Sequence, residues 1–221
     1  ARGAKRRELQ TLPEKRQFSY AAMTTEEIRK IVENYDKNSP DGLQKKFYQI
    51  SAVELAWRGN EATFCLVEFF KNEVDIYGDI TGRIEYNTIF SKTTQGGEKH
   101  TAASKWLTSN KECQDKCPVR LLQKMLSKRT SNIKTNRLFL TPNPDWKKTG
   151  IWYKNCPMGI NHSVSGHATQ NIGIDIKKVK ITNHSNRSSA VSNLIKSGAN
   201  LQEVIQITGH SSSESLKPSH T

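Results

Sequence analysis

The stretch ITNHSNRSS, residues 181–189, sets a histidine, His184, three positions before an arginine, Arg187. On the first turn of a helix, both would lie where unpaired backbone amides and the positive end of the dipole favour an anion. An arginine there can grip two phosphate oxygens at once with its planar fork. Taken alone, H-x-x-R fits equally well two polar residues that cap or solvate a helix start. Three further residues stand in comparable settings. Arg58 sits where a helical pattern breaks at Gly59, Lys92 lies in a stretch of alternating pattern, and His210 follows Gly209 in TGHSS. For Arg58 the plain alternative is an ion pair with Glu54 or Glu61, and for Lys92 an exposed hairpin charge.

Charge points the same way as these residues. The 221 residues hold 34 Lys and Arg against 21 Asp and Glu, a formal net charge of +13. Such an excess fits a polyanionic partner, with nucleic acid the commonest; the alternative is a basic surface with no such partner. No apolar run is long enough to span a bilayer, which sets a membrane-spanning reading aside. The basic start, ARGAKRRELQ, leads into no apolar stretch, so it lacks a signal-peptide pattern. An opening Ala rather than Met fits a fragment or a trimmed chain. Four cysteines, Cys65, Cys113, Cys117 and Cys156, are expected as free thiols in a reducing, intracellular setting. Cys65 reads as a core residue in an apolar helical stretch. A zinc site could be assembled from Cys113, Cys117, Cys156, His162 and His167, although their spacing matches no strong template.

The elements that must position these side chains are mostly helical. Residues 1–20 are basic and aperiodic and read as an arm or the remnant of an upstream segment, with the domain running over 21–221. Thr24 and Glu27 form a capping box ahead of IRKIVENY. Leu43, Phe47 and Ile50 recur at helical spacing, and beyond the break at Arg58–Gly59 a further helix is expected to carry Leu66, Phe69 and Phe70. Over 82–97 the period changes to two, with Ile84, Tyr86 and Phe90 alternating and Gly96–Gly97 supplying a turn, which predicts a β-hairpin with Lys92 near its tip. Helical pattern returns at CPVRLLQKMLSKR, and 130–170 reads as loop-rich. Thr182 or Asn183 can cap a helix through Ala190, Val191, Leu194 and Ile195 that ends at Gly198. Asn200 and Glu203 then box a second helix that ends at Gly209.

The ordered set Arg58, Lys92, H-x-x-R and TGHSS resembles the tyrosine recombinases, the integrase family of DNA strand-exchange enzymes. The wording ELAWRGNEA, NHSNR and ITGHSSSESLKPSH is most similar to a eukaryotic branch related to Crypton transposons, over roughly residues 24–220. The resemblance implies a DNA breaking-rejoining, integrase-like catalytic core, mainly α with a small antiparallel β-sheet. It also implies double-stranded DNA as partner, homo-oligomeric assembly on DNA, a nuclear location in a eukaryote, and no metal or other cofactor. In the implied reaction a tyrosine hydroxyl attacks phosphorus, forms a 3′-phosphotyrosyl link and frees a 5′-hydroxyl. By resemblance Arg58 and Arg187 clamp the non-bridging oxygens of five-coordinate phosphorus, where preorganised cations in a water-poor cleft act best. His184 assists proton transfer at the nucleophile, Lys92 protonates the leaving oxygen, and His210 hydrogen-bonds the scissile phosphate.

The nucleophile of that family stands nine positions after the histidine matched by His210, and here the position is Ser219. The six tyrosines, Tyr20, Tyr35, Tyr48, Tyr77, Tyr86 and Tyr153, all precede His184 and His210. A serine hydroxyl is nearer the backbone than a phenol oxygen, and its pKa is far above the ~10 of tyrosine. The expectation is therefore an impaired strand transferase: a degenerate element copy, a local change at Ser219, or an enzyme whose nucleophile another chain supplies. The alternative is a non-catalytic DNA-binding or scaffold protein on the same fold. The helix that follows the nucleophile in the family and its usual N-terminal clamp domain are both expected to be missing from this piece.

Overall fold

The computed structural model describes residues 22–57, 59–87, 105–159 and 183–210. It begins with α1 (Thr25–Glu33), whose Thr24–Glu27 capping box forms as the sequence requires. Helix α2 (Pro40–Glu54) follows, capped by the Ser39 side chain with Pro40 in its first turn. Gly42 is obligatory in that turn, because a Cβ there would meet the Asp36 carbonyl at 2.2 Å. Helix α2 is the axis of the core. Leu43, Phe47, Tyr48 and Ala52 are buried, and Phe47 packs edge-on to Trp57, Phe70 and other rings in an aromatic cluster that extends to Tyr86 and Phe139.

A short helix α3 (Gly59–Thr63) leads through a 3₁₀ turn (Val67–Phe69) into β1 (Phe70–Val74). The expected helix through Leu66, Phe69 and Phe70 is thus corrected. The run LVEFF is too short to set a helical period, and its backbone groups pair elsewhere: Val67 N–H donates to the Asn136 carbonyl and Leu138 N–H to the Cys65 carbonyl. Cys65 is buried, as expected, but it lies outside any helix. Strand β2 (Ile80–Tyr86) pairs antiparallel with β1 and with β3 (Lys105–Thr108), giving the order β1-β2-β3. The alternation of Ile84 and Tyr86 is real and faces them inward with Leu107. Strand β2 is central, with partners at 70–74 and 105–108, while residues 88–97 of the expected hairpin, Lys92 among them, lie outside the described residues.

Helix α4 (Pro118–Ser127) packs Val119, Leu121, Leu122 and Met125 into the same core. Within the loop-rich stretch the chain forms a two-stranded sheet, β4 (Leu140–Pro142) with β5 (Tyr153–Pro157), around the one-turn helix α5 (Trp146–Thr149). Leu140 faces Pro157 as a non-hydrogen-bonded pair, flanked by the Met158 N–H bond to the Phe139 carbonyl, so its own N–H and C=O point away from β5. Gln44 of α2 meets both: its amide donates to the Leu140 carbonyl at 2.9 Å and accepts from the Leu140 N–H at 2.8 Å. The chain then closes with α6 (Asn183–Lys196) and α7 (Leu201–Thr208), joined at Gly198 and boxed by Asn200 and Glu203 as the sequence predicts. Among the described residues no helix is long and apolar enough to cross a membrane.

Candidate functional site

Three turns bring the candidate site together. The first ends α2. Trp57 N–H bonds the Ala52 carbonyl and Ala56 N–H the Val53 carbonyl, the paired bonds of a Schellman ending. That ending needs a left-handed residue, normally glycine, yet Ala56 occupies it at φ +48° and is wholly buried. The left-handed region costs an L-residue about 1–2 kcal/mol. What the turn achieves is the orientation of two successive carbonyls. Leu55 accepts from Lys105 Nζ of β3 at 2.7 Å, and Ala56 accepts from Arg187 Nη1 of α6 at 3.0 Å. The residue after Trp57 is Arg58.

The second element is α6, whose first turns are buried: Ser185, Asn186, Arg187 and Ser189 are all under a tenth exposed. Polar groups on a buried helix face must find partners, and here they lock the helix in place. Ser189 Oγ accepts from Met23 N–H at 2.7 Å and reaches the Ser185 carbonyl at 2.8 Å. Gln49 Nε2 of α2 donates to Asn186 Oδ1 at 2.7 Å. Asn186 also bonds the Tyr48 phenol, which burial pushes up to about 12 against the opposing effect of that bond. Arg187 is therefore carried on a helix held from both neighbouring sides.

The third turn follows α7. Gly209 adopts φ +66°, and the chain doubles back so that His210 N–H still reaches the Ile205 carbonyl. The Thr208 hydroxyl lies 2.5 Å from the Val204 carbonyl and 2.5 Å from His210 Nδ1. A carbonyl can only accept, so the single hydroxyl proton goes to Val204, and Nδ1 of His210 faces both the Thr208 oxygen and an Arg187 nitrogen. Arg187 runs along the ring, with Nε 3.4 Å from Nε2 and Nη2 3.4 Å from Nδ1.

The structure thus brings together Arg187 and His210, 23 positions apart in the chain, at the turn that leads to Arg58. The Arg58, Lys92 and Ser219 residues lie outside the described residues, and so does the His184 side chain, although the His184 backbone is in the first turn of α6. Sequence reasoning missed Lys105. Its signal was faint: KWLT is four residues long, and only pairing to β2 shows that its lysine starts a strand beside Leu55. Four tyrosines, Tyr35, Tyr48, Tyr86 and Tyr153, are buried, and desolvation raises the pKa of each phenol, which disfavours the phenolate. Of the suggested zinc ligands, Cys117 is buried with its sulfur accepting from Asn110 N–H, and Cys156 is exposed on β5. His162 and His167 lie outside the described residues, among which no cluster of three metal-binding side chains occurs.

This arrangement of helices and small sheet is the fold of the tyrosine recombinase catalytic domain. It is similar to the structure of XerH site-specific recombinase bound to difH substrate in a pre-cleavage complex, at TM-score 0.64 and 16% identity, covering 93% of this chain and 52% of that one. Against XerA recombinase the values are 0.57 and 14%, with 93% and 60% covered. Against the Tn1549 transposon integrase in complex with a circular intermediate DNA they are 0.58 and 13%, with 93% and 62% covered. The chain spans about half to three-fifths of the length of these structures. Residues 42–165 match the family described as Domain of unknown function (DUF3504), and the chain belongs to that family. No curated protein matches the sequence.

Proposed function

We propose that this chain is the DNA-binding catalytic core of a strand-exchange protein of the tyrosine-recombinase type, acting in DNA recombination or integration. The observation that carries the reading is the Arg187–His210 contact, anchored to the Ala56 carbonyl two residues before Arg58. A cation held in place before substrate arrives needs no reorganisation as charge develops on a phosphate. In this reading Arg187 and Arg58 hold the non-bridging oxygens of a scissile phosphodiester. His210, held against Thr208, helps to fix the Arg187 guanidinium along its ring and faces the phosphate beside it. His184 moves the proton of the nucleophile, and Lys92 or Lys105 protonates the leaving 5′-oxygen. Lys105 joins the reading because its ammonium lies on the carbonyl next to the one that anchors Arg187.

Ser219 at the expected nucleophile position makes the chain a poor strand transferase by itself. A Crypton-type mobile element as source, a nuclear location and homo-oligomeric assembly on DNA belong to the same proposal. So does the second reading, a non-catalytic DNA-binding scaffold, which Ser219 favours. The test is a suicide-substrate assay with nicked DNA, run on the chain and on Ser219→Tyr. An SDS-resistant protein–DNA adduct with Ser219→Tyr alone establishes a recoverable strand transferase. Binding without any adduct leaves the scaffold reading. Absence of a DNA mobility shift at low salt, where phosphate-driven affinity is greatest, defeats both.

A further inference from the structure

Two features far from the Arg187 site have no role in the reading above. The first is the β1–β2 turn. Its residues Ile76 and Tyr77 are 90% and 84% exposed, and Val74 and Ile80 beside them are more than half exposed. A cluster of large apolar side chains standing clear of its own chain marks an interaction site more often than plain surface. The turn is also preorganised. Asp75 Oδ1 accepts from the N–H groups of Tyr77 at 2.8 Å and Asp79 at 2.9 Å, and Gly78 takes the left-handed position at φ +87°. At its base Glu73 accepts from Thr81 Oγ1 at 2.5 Å and from Arg83 at 3.1 Å, while Arg83 stacks 4.3 Å over Trp106. Docking such a turn orders little that is not already ordered. The tip is acidic, with Glu73, Asp75 and Asp79 within seven residues of a chain whose net charge is +13. It would repel DNA.

The second feature is the face formed by α4 and α5. Trp146 and Trp152 lie 5.3 Å apart, Lys128 Nζ is 4.8 Å and Lys124 Nζ 5.9 Å from the Trp152 ring, and Lys147 Nζ is 5.7 Å from Trp146. Lys148 is exposed on the same turn. Burial, with Lys37 and Lys128 close by, holds the Lys124 ammonium below the usual lysine range, a mark of crowded positive charge. The face offers the partly exposed Trp146 ring among lysines, with Trp152 buried behind it, and the tip offers apolar side chains beside carboxylates.

We infer that the β1–β2 tip of one copy docks on the α4–α5 face of a second copy, with Ile76 and Tyr77 against Trp146 and the lysine stems, and Asp79 against Lys147 and Lys148. The contact is heterologous, so a pair still has one unfilled face on one copy and one unfilled tip on the other, and the assembly grows as a ring or a chain. It is independent of the strand-transfer reading, because it uses none of those residues and no DNA.

Sedimentation velocity on the full chain without DNA, over a range of concentrations at low salt, tests it. The expected result is concentration-dependent association above the 25.0 kDa of one copy. A tip variant, Ile76→Asp with Tyr77→Ser, and a face variant, Lys147→Glu with Lys148→Glu, should each sediment as monomers while keeping the wild-type melting temperature. Asp79→Lys serves as a second tip variant that leaves the turn's backbone bonds intact. Mixed, the tip and face variants should form a 1:1 dimer and nothing larger, because only one tip and one face remain. Monomeric wild-type protein throughout, association untouched by the tip variants, or a mixture that stays monomeric would each overturn the inference. So would a face variant that loses only DNA affinity.

Discussion

Gln44 offers the sharpest test of how the core holds the site. It is 1% exposed and its one side chain satisfies both backbone groups of Leu140, which point away from β5 at this non-hydrogen-bonded pair. Gln44→Leu keeps the volume and leaves a buried N–H and a buried C=O without partners, each worth roughly 1–3 kcal/mol. The expected destabilisation is therefore about 2–6 kcal/mol, or a fall in melting temperature of roughly 2–4 °C for each kcal/mol in a domain of this size. Gln44→Glu adds a dependence on pH. Its carboxylate can still accept from Leu140 N–H, but it sets negative charge against the Leu140 carbonyl, whereas the protonated acid donates to that carbonyl as glutamine does. Burial and the carbonyl raise the folded-state pKa above the ~4.3 of the unfolded chain. Stability of Gln44→Glu should then approach wild type below about pH 4 and be lost as pH rises, by ~1.4 kcal/mol per unit until the folded pKa is passed. Urea unfolding of both variants, each against wild type at the same pH so that native titrations cancel, measures this. A cost below about 1 kcal/mol for Gln44→Leu, or a Gln44→Glu deficit that does not change with pH, would refute the reasoning.

Other substitutions probe the site more directly. Arg187→Lys cannot reproduce contacts to Ala56 and along His210 at once; adduct formation in the Ser219→Tyr background should fall by roughly 100-fold, while the salt slope of DNA binding, which counts cations, stays as in the parent. Ser189→Ala leaves the buried Met23 N–H without its acceptor and should destabilise by about 1–3 kcal/mol in urea unfolding. Ala56→Gly relieves left-handed strain but loosens the unfolded chain, so it should stay within about 1 kcal/mol of wild type and keep its DNA affinity. Ala56→Val forces a β-branched residue into that conformation in a buried position; a loss of less than about 2 kcal/mol would show that Ala56 is unstrained.

Local rules made much of the chain legible. Thr24 with Glu27 and Asn200 with Glu203 cap their helices wherever those helices go, because the cap bonds span three residues. Gly198 and Gly209 end α6 and α7 for an equally local reason, their left-handed backbone. The alternation of Ile84 and Tyr86 marked a strand, since one face of it had to be dry. The run LVEFF misled, because a short apolar segment has no period of its own, and pairing with residues 136–138 decides its shape.

The sequence by itself determined which residues could meet a phosphate, their order, and that Ser219 stands where a tyrosine is expected. It could not determine that the alanine at residue 56 would take a glycine's conformation, or that Lys105 would share the α2 turn with Arg187. Both depend on contacts between segments dozens of residues apart: β3 with the end of α2, and α6 with Gln49 and Met23. The carbonyls of Leu55 and Ala56 exist in any conformation of the chain. Only packing aims them at two cations from two other elements, and Arg187 with His210 is the part of the site that the tertiary structure assembled.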